Sequence, residues 1–146
     1  MKINNNFILS FCVLGLVLLC FFSIYSPIGF EKEQAKRETV VRERMKTILK
    51  AEQIYLQRHS SYTGNLQNLI QEGLLADSLQ YIPYSEGQRF RLQATMELTK
   101  SGRQIPRLRC QAGYADYLRG LDAERLAALT EEANRKGNFP GIEIKN

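Results

Sequence analysis

Acid–base and nucleophilic catalysis need partners within hydrogen-bond reach, and this chain of 146 residues offers few side chains able to serve. His59 is the sole histidine. With no cysteine or carboxylate cluster beside it, it reads as a solvated turn residue rather than a metal ligand or general base. Asp116 with Asp122, and Glu131 with Glu132, are the carboxylates that could in principle pair for acid–base work. They fall in loop and helix-surface contexts, where solvation accounts for them. The chain has no G-x-S-x-G nucleophile elbow and neither of the glycine-rich phosphate cradles, G-x-x-x-x-G-K-[ST] and G-x-G-x-x-G. The expectation is a protein without catalytic activity, cofactor or metal.

Recognition is the chemistry that remains. Tyr114 and Tyr117 lie in the stretch Gly113–Gly120, where aromatic rings could meet a ligand or partner, although packing over a sheet end is the commoner use of such residues. Pro106 cannot donate a ladder hydrogen bond, so its strand either starts there or lies at an edge, where a partner could pair. These three are the candidate interaction residues. The net charge of +5 does not point to nucleic acid, because bases and acids interleave and no aromatic-rich basic stripe occurs. A solvated surface, touching anionic headgroups at most, is expected instead.

The element that positions everything else is apolar. Phe7 to Tyr25 carries no charge and lies inside a longer uncharged run from Ile3 to Phe30. At about 1.5 Å per residue a helix over those residues spans roughly 29 Å, the hydrocarbon thickness of a bilayer. The expected organisation is a short tail at 1–6, a transmembrane helix at 7–26, a kink and stalk at 27–38 and a soluble domain at 39–146. A cleaved secretory signal is the alternative to an uncleaved anchor. It is disfavoured because Lys2 is the only basic residue before the apolar core, that core is long, and no small-x-small site follows. Lipoprotein processing is unexpected, since bulky Phe11 and Leu19 precede Cys12 and Cys20. Cys110 is the only cysteine of the domain, so no disulfide can form within it.

Ser26-Pro27-Ile28-Gly29 predicts a kink or short break as the chain leaves the bilayer. From Glu31 to about Arg58 a solvated helix resumes, with Val41, Met45, Ile48, Tyr55 and Leu56 forming one narrow apolar face. Its first turns, Glu31 to Arg37, are almost wholly polar and are expected to stand clear of the domain. Asn65 caps a short helix carrying Leu66, Leu69 and Ile70, which Gly73 closes. The period then changes from 3.6 to two. Leu79 to Ser85 reads as a short strand turning at Glu86-Gly87. Gln88 to Thr99 alternates, with Phe90, Leu92, Ala94, Met96 and Leu98 on the face expected to be buried against the amphipathic helix. A hairpin at Lys100–Arg103 leads into Ile105–Ala112, with Pro106, Leu108, Cys110 and Ala112 sharing one face. Asp122 caps a last helix to about Arg135, with Leu126 and Leu129 inward and Gly137 ending it. Phe139 to Ile144 closes as a turn and an extended piece. The fold class is α+β: an N-terminal transmembrane helix continuing into an amphipathic helix, packed on a small antiparallel sheet with a C-terminal helix.

This order, with Ala51-Glu52-Gln53-Ile54-Tyr55 followed by Ser61-Tyr62-Thr63-Gly64-Asn65-Leu66, resembles type IV pilins and pseudopilins. The likeness implies a pilin-like fold, assembly with other proteins or with itself in the membrane, and a periplasmic domain. At the processing site the chain differs from that family, with Asn6 before Phe7 and Phe11 at the position of the family's glutamate. Tyr81-Ile82-Pro83-Tyr84-Ser85, Ala115 to Asp122 and Phe139-Pro140-Gly141-Ile142 resemble an uncharacterised family of single-pass membrane proteins of Bacteroidota, which implies the same architecture. The expected function is a membrane-anchored structural or interaction subunit of a pilin-like or envelope assembly. Its partners are the lipid bilayer through residues 7–25 and proteins, and no nucleic acid. The alternative is a membrane-tethered domain that binds a ligand or envelope polymer. Its location is the bacterial inner membrane. The bases flanking the anchor favour a cytoplasmic domain and the pilin resemblance a periplasmic one; the latter is preferred, since long domains translocate regardless of flanking charge.

Overall fold

A computed structural model describes residues 5–146, except the side chains of residue 5 and residues 24–28. Residues 1–4 of the expected tail, including Lys2, lie outside the described residues, and Asn5 and Asn6 are already helical. The elements are α1 (Asn5–His59), α2 (Leu66–Gln71), a 3-10 turn (Asp77–Gln80), β1 (Arg91–Leu98), β2 (Gln104–Gly113), α3 (Tyr114–Tyr117), α4 (Ala123–Arg135) and β3 (Gly141–Lys145). The three strands form one antiparallel sheet in the order β1-β2-β3. The α+β architecture is as the sequence predicts.

The chain divides into two compact units, one ending at Ala35 and one spanning Lys36–Asn146. In the first, Asn6–Ser23 has mean hydropathy 2.4 with none of it buried, long and apolar enough to cross a membrane. Helical structure runs without a break through Ser26–Gly29, where an interruption was expected. A proline removes one N–H from the helical ladder, and the remaining hydrogen bonds of a helix this long carry it through.

In the second unit, α1 contributes Val41, Met45, Ile48 and Ala51 to a core completed by Leu66, Leu69, Leu75, Ile82, Phe90, Cys110, Ala112, Tyr117, Leu118 and Ile142. Each buried Val, Leu, Ile, Met or Phe among them adds about 1.5–3 kcal/mol by leaving water, and the alanines less. The unit begins earlier than the predicted domain. Arg37, assigned by composition to the stalk, donates from Nη1 to the carbonyls of Tyr117 (3.1 Å) and Arg119 (2.9 Å) and lies 4.6 Å over the Tyr84 ring. A polar sequence there marks docking to main-chain carbonyls, not separation from the domain.

Local chemistry explains the helix ends. Asn65 accepts from the Gln67 N–H, and Asp122 accepts from Glu124 N–H and Arg125 N–H, so both satisfy open donors of a first turn. Gly73 and Gly137 adopt left-handed φ after α2 and α4, as predicted.

Two stretches differ from the sequence reading. The expected strand Leu79–Ser85 is the 3-10 turn followed by one bridge, Tyr81 to Arg89, and a tight turn with Tyr84 at φ 66. The buried Ser85 hydroxyl donates to the Ile82 carbonyl at 2.6 Å and accepts from Gln88 N–H at 3.1 Å, replacing ladder bonds. The expected burial of the even-numbered face of β1 holds only at its start. Phe90 is buried and Leu92 partly so, whereas Ala94, Met96 and Leu98 are exposed. The turn after α1 passes under the strand at Ala94, where a Cβ on Gly64, itself at φ +61, would meet Ala94 Cβ and N at 3.0 Å. Beyond that point the apolar face overhangs the core.

β2 starts at Gln104 and is the central strand, so Pro106 neither begins it nor lies on an edge strand. The hairpin bond from Thr99 N–H to the Arg103 carbonyl makes alternate pairs non-hydrogen-bonded, and Met96↔Pro106 is one of them. The proline nitrogen therefore turns toward the β3 side, where pairing begins only at Arg109. The missing N–H costs nothing at that position.

Candidate functional site

Tyr117 is fully buried, and its hydroxyl donates to Glu38 Oε1 at 3.3 Å. Burial, and then the neighbouring Glu38 charge, push its pKa well above the usual phenol range. With Arg37 on its carbonyl, Tyr117 fastens α3 to α1, so it serves the core and offers no surface. Tyr114 is half-buried, with its ring 6.0 Å from that of Tyr117. Burial and the Glu38 charge raise its pKa too.

Tyr114 lines a cavity of about 490 Å³ with Arg42, Leu129, Glu132, Lys136 and Phe139 among its walls. Glu132 accepts from Lys136 at 2.5 Å, and Glu143, also in the wall, pairs with Lys145 at 2.9 Å. These pairings hold both carboxyls below their usual pKa. Pro106 lines a separate, smaller hollow with Ser61, Tyr62 and Met96. The predicted residues thus divide three ways: Tyr117 in the core, Tyr114 on a polar cavity, and Pro106 on the overhanging sheet.

His59 is bonded to Glu72 at 2.8 Å and stacks on Tyr55 with centroids 4.2 Å apart, which holds the end of α1 against the end of α2. Among the described residues no three histidine, cysteine or carboxylate side chains gather as a metal site would require. Cys110 is buried, and that burial, followed by the Glu52 charge, pushes its thiol up to about 12, away from thiolate chemistry.

Glu52 is the side chain that sequence reasoning missed. It is fully buried, and its two oxygens accept from Thr63 N–H and Gly64 N–H, each at 3.0 Å. Burial raises its pKa, and the two backbone bonds oppose that shift. It ties α1 to the turn that returns under the sheet. Position 52 continues the spacing of Val41, Met45, Ile48 and Tyr55, so a carboxylate in phase with the apolar stripe was the signal.

Two surfaces remain open. None of Asn6–Ser23 is buried, with Phe7, Phe11 and Phe22 each more than three-quarters exposed. On the sheet, Met96 is 56% and Leu98 68% exposed. No family model, curated protein or solved structure matches this chain, so its function is argued from these surfaces.

Proposed function

We propose that this protein is a non-catalytic interaction subunit held in a membrane by residues 7–25, with the domain that follows contacting other proteins of a pilin-like or envelope assembly. The observation that carries the reading is the apolar helix Asn6–Ser23, none of it buried, in a chain whose second unit has its own core. So much apolar surface is covered by lipid or protein in any stable state. The overhanging sheet face supplies the contact surface, since the tyrosine loop is engaged internally. A single-pass inner-membrane location with a periplasmic domain fits the pilin-like order of elements.

Carbonate-washed membranes should retain the full-length chain, and purification in mild detergent should bring down partner proteins. A mature N-terminus near Ser26–Phe30, or a chain released by the wash, refutes the anchor. Orientation is read with Lys100→Cys in a Cys110→Ser background: an impermeant thiol reagent should label it in intact spheroplasts, and labelling only after lysis puts the domain in the cytoplasm. The second reading, a tethered ligand-binding domain, has its own observation in the Tyr114 cavity, whose volume suits a small ligand. It requires Arg42→Ala with Tyr114→Ala to abolish retention of envelope-polymer fragments.

A further inference from the structure

The cavity beside Tyr114 is built to receive negative charge. It lies within the second unit, between α1, α4 and β3, and its hydrogen-bonding groups divide unevenly into engaged and open. Most acceptors are engaged. Glu143 accepts from Gln111 Nε2 at 2.9 Å on one oxygen and from Lys145 Nζ at 2.9 Å on the other, and Glu132 Oε1 accepts from Lys136 Nζ at 2.5 Å. The donors are open. The side chains of Arg42, Tyr114 and Asn138 form no hydrogen bond or ion pair with any described residue, and each lysine keeps two N–H groups beyond the one its glutamate takes. Three cations against two carboxylates leave the wall one net positive charge, which resides on the Arg42 guanidinium. The nearby Glu38 carboxylate accepts from the Tyr117 hydroxyl and lines no part of the cavity.

The walls are also held in place. Tyr114 N–H donates to the Pro140 carbonyl at 3.0 Å, and a Cβ on Gly141 would stand 2.8 Å from both Gly113 Cα and Phe139 Cε1, so glycine lets the Phe139 loop close onto the end of β2. Two half-buried rings, Tyr114 and Phe139, thus line a preformed hollow of about 490 Å³.

We propose that this cavity binds a sugar acid, a pyranose ring carrying one carboxylate. The carboxylate meets Arg42, whose planar fork matches two oxygens. Ring hydroxyls meet the Tyr114 hydroxyl, the Asn138 amide and the second oxygen of Glu132, and the C–H face of the sugar lies on the aromatic rings. A neutral sugar leaves the guanidinium unanswered, and a bare inorganic anion leaves the rings uncovered. The inference names the ligand class for the second reading above and rests on that reading. Such a unit arrives as a free monosaccharide or within an acidic envelope polymer, with the same chemistry at the site.

The test is calorimetric titration of the full chain in mild detergent with galacturonate, its trimer, galactose and inorganic phosphate, with the thermal midpoint recorded in each. Galacturonate should bind saturably, and galactose at least about tenfold more weakly, as loss of a charge-assisted hydrogen bond predicts. Arg42→Gln should weaken galacturonate by about tenfold or more without moving the midpoint of the free chain, because Arg42 is exposed and its side chain bonds to no described residue. Arg42→Lys, which keeps the charge and loses the fork, should fall between the two. A trimer that binds more tightly than the monomer supports the site and assigns it to a polymer; equal affinity supports it and assigns the free sugar. Galactose or phosphate binding as tightly as galacturonate, or an Arg42→Gln chain that binds galacturonate like the parent, overturns the sugar-acid assignment and leaves a ligand-binding domain standing. No heat and no midpoint shift with any of these compounds overturns both.

Discussion

Glu52 gives the sharpest test of how this domain holds together. Replacing it with alanine strands two partly buried donors, Thr63 N–H and Gly64 N–H, each costing up to about 1–3 kcal/mol when unsatisfied. Removal of a desolvated carboxylate offsets part of this, which leaves a net loss of about 2–4 kcal/mol. For a domain of this size that lowers Tm by roughly 8–16 °C. Glutamine preserves shape but turns an amide N–H₂ toward one donor, for a loss of about 1–2 kcal/mol. The pH dependence carries a definite sign. Burial lifts the folded-state pKa above the ordinary 4.5, so between 4.5 and the folded value the native state binds more protons than the unfolded one. The Glu52 contribution is therefore fully present below about pH 4.5 and is lost as pH rises through the folded-state value. The advantage of the parent over Glu52→Gln should shrink between pH 4 and pH 7. Thermal unfolding of the full chain in mild detergent, followed by near-ultraviolet circular dichroism of its seven tyrosines, measures both effects. An alanine variant that melts with the parent refutes the clamp, and a parent advantage that grows with pH shows the two backbone bonds outweighing burial and refutes the raised folded-state pKa.

The overhang makes the two ends of the sheet unequal. Leu98→Ala, at a 68% exposed side chain, should change stability by less than about 0.5 kcal/mol, while Leu108→Ala, at a fully buried one, should cost about 2–5 kcal/mol. Equal shifts in a denaturant titration would place the core boundary elsewhere. Cys110, buried and with its thiol held up to about 12, should resist maleimide at neutral pH and react once the chain is denatured. Fast labelling of the native protein would contradict its burial.

The sequence alone determined the class and order of elements, because those depend on local chemistry. The apolar run Phe7–Tyr25 announces its own helix, alternation announces β1 and β2, and Asn65 and Asp122 accept from neighbours two or three residues away. These signals hold whatever the rest of the chain does. Candidate sites were less legible, because burial and pairing are set by what lies opposite. Alternation put Met96 and Leu98 on the face of Phe90, but only the tertiary structure showed that the turn after α1 passes under the strand at Ala94 and leaves them uncovered. The sequence left Tyr117 between packing over a sheet end and meeting a partner, and Arg37 and Glu38, about eighty residues away, engage it in the core. Pro106 reads as an edge residue, yet the strand is central, and its nitrogen meets no partner because β3 begins to pair only at Arg109. Glu52 looked like one more charge on a solvated helix. The fold alone supplied the two main-chain donors that let it be buried, since a carboxylate is stable inside a core only where hydrogen bonds replace its water.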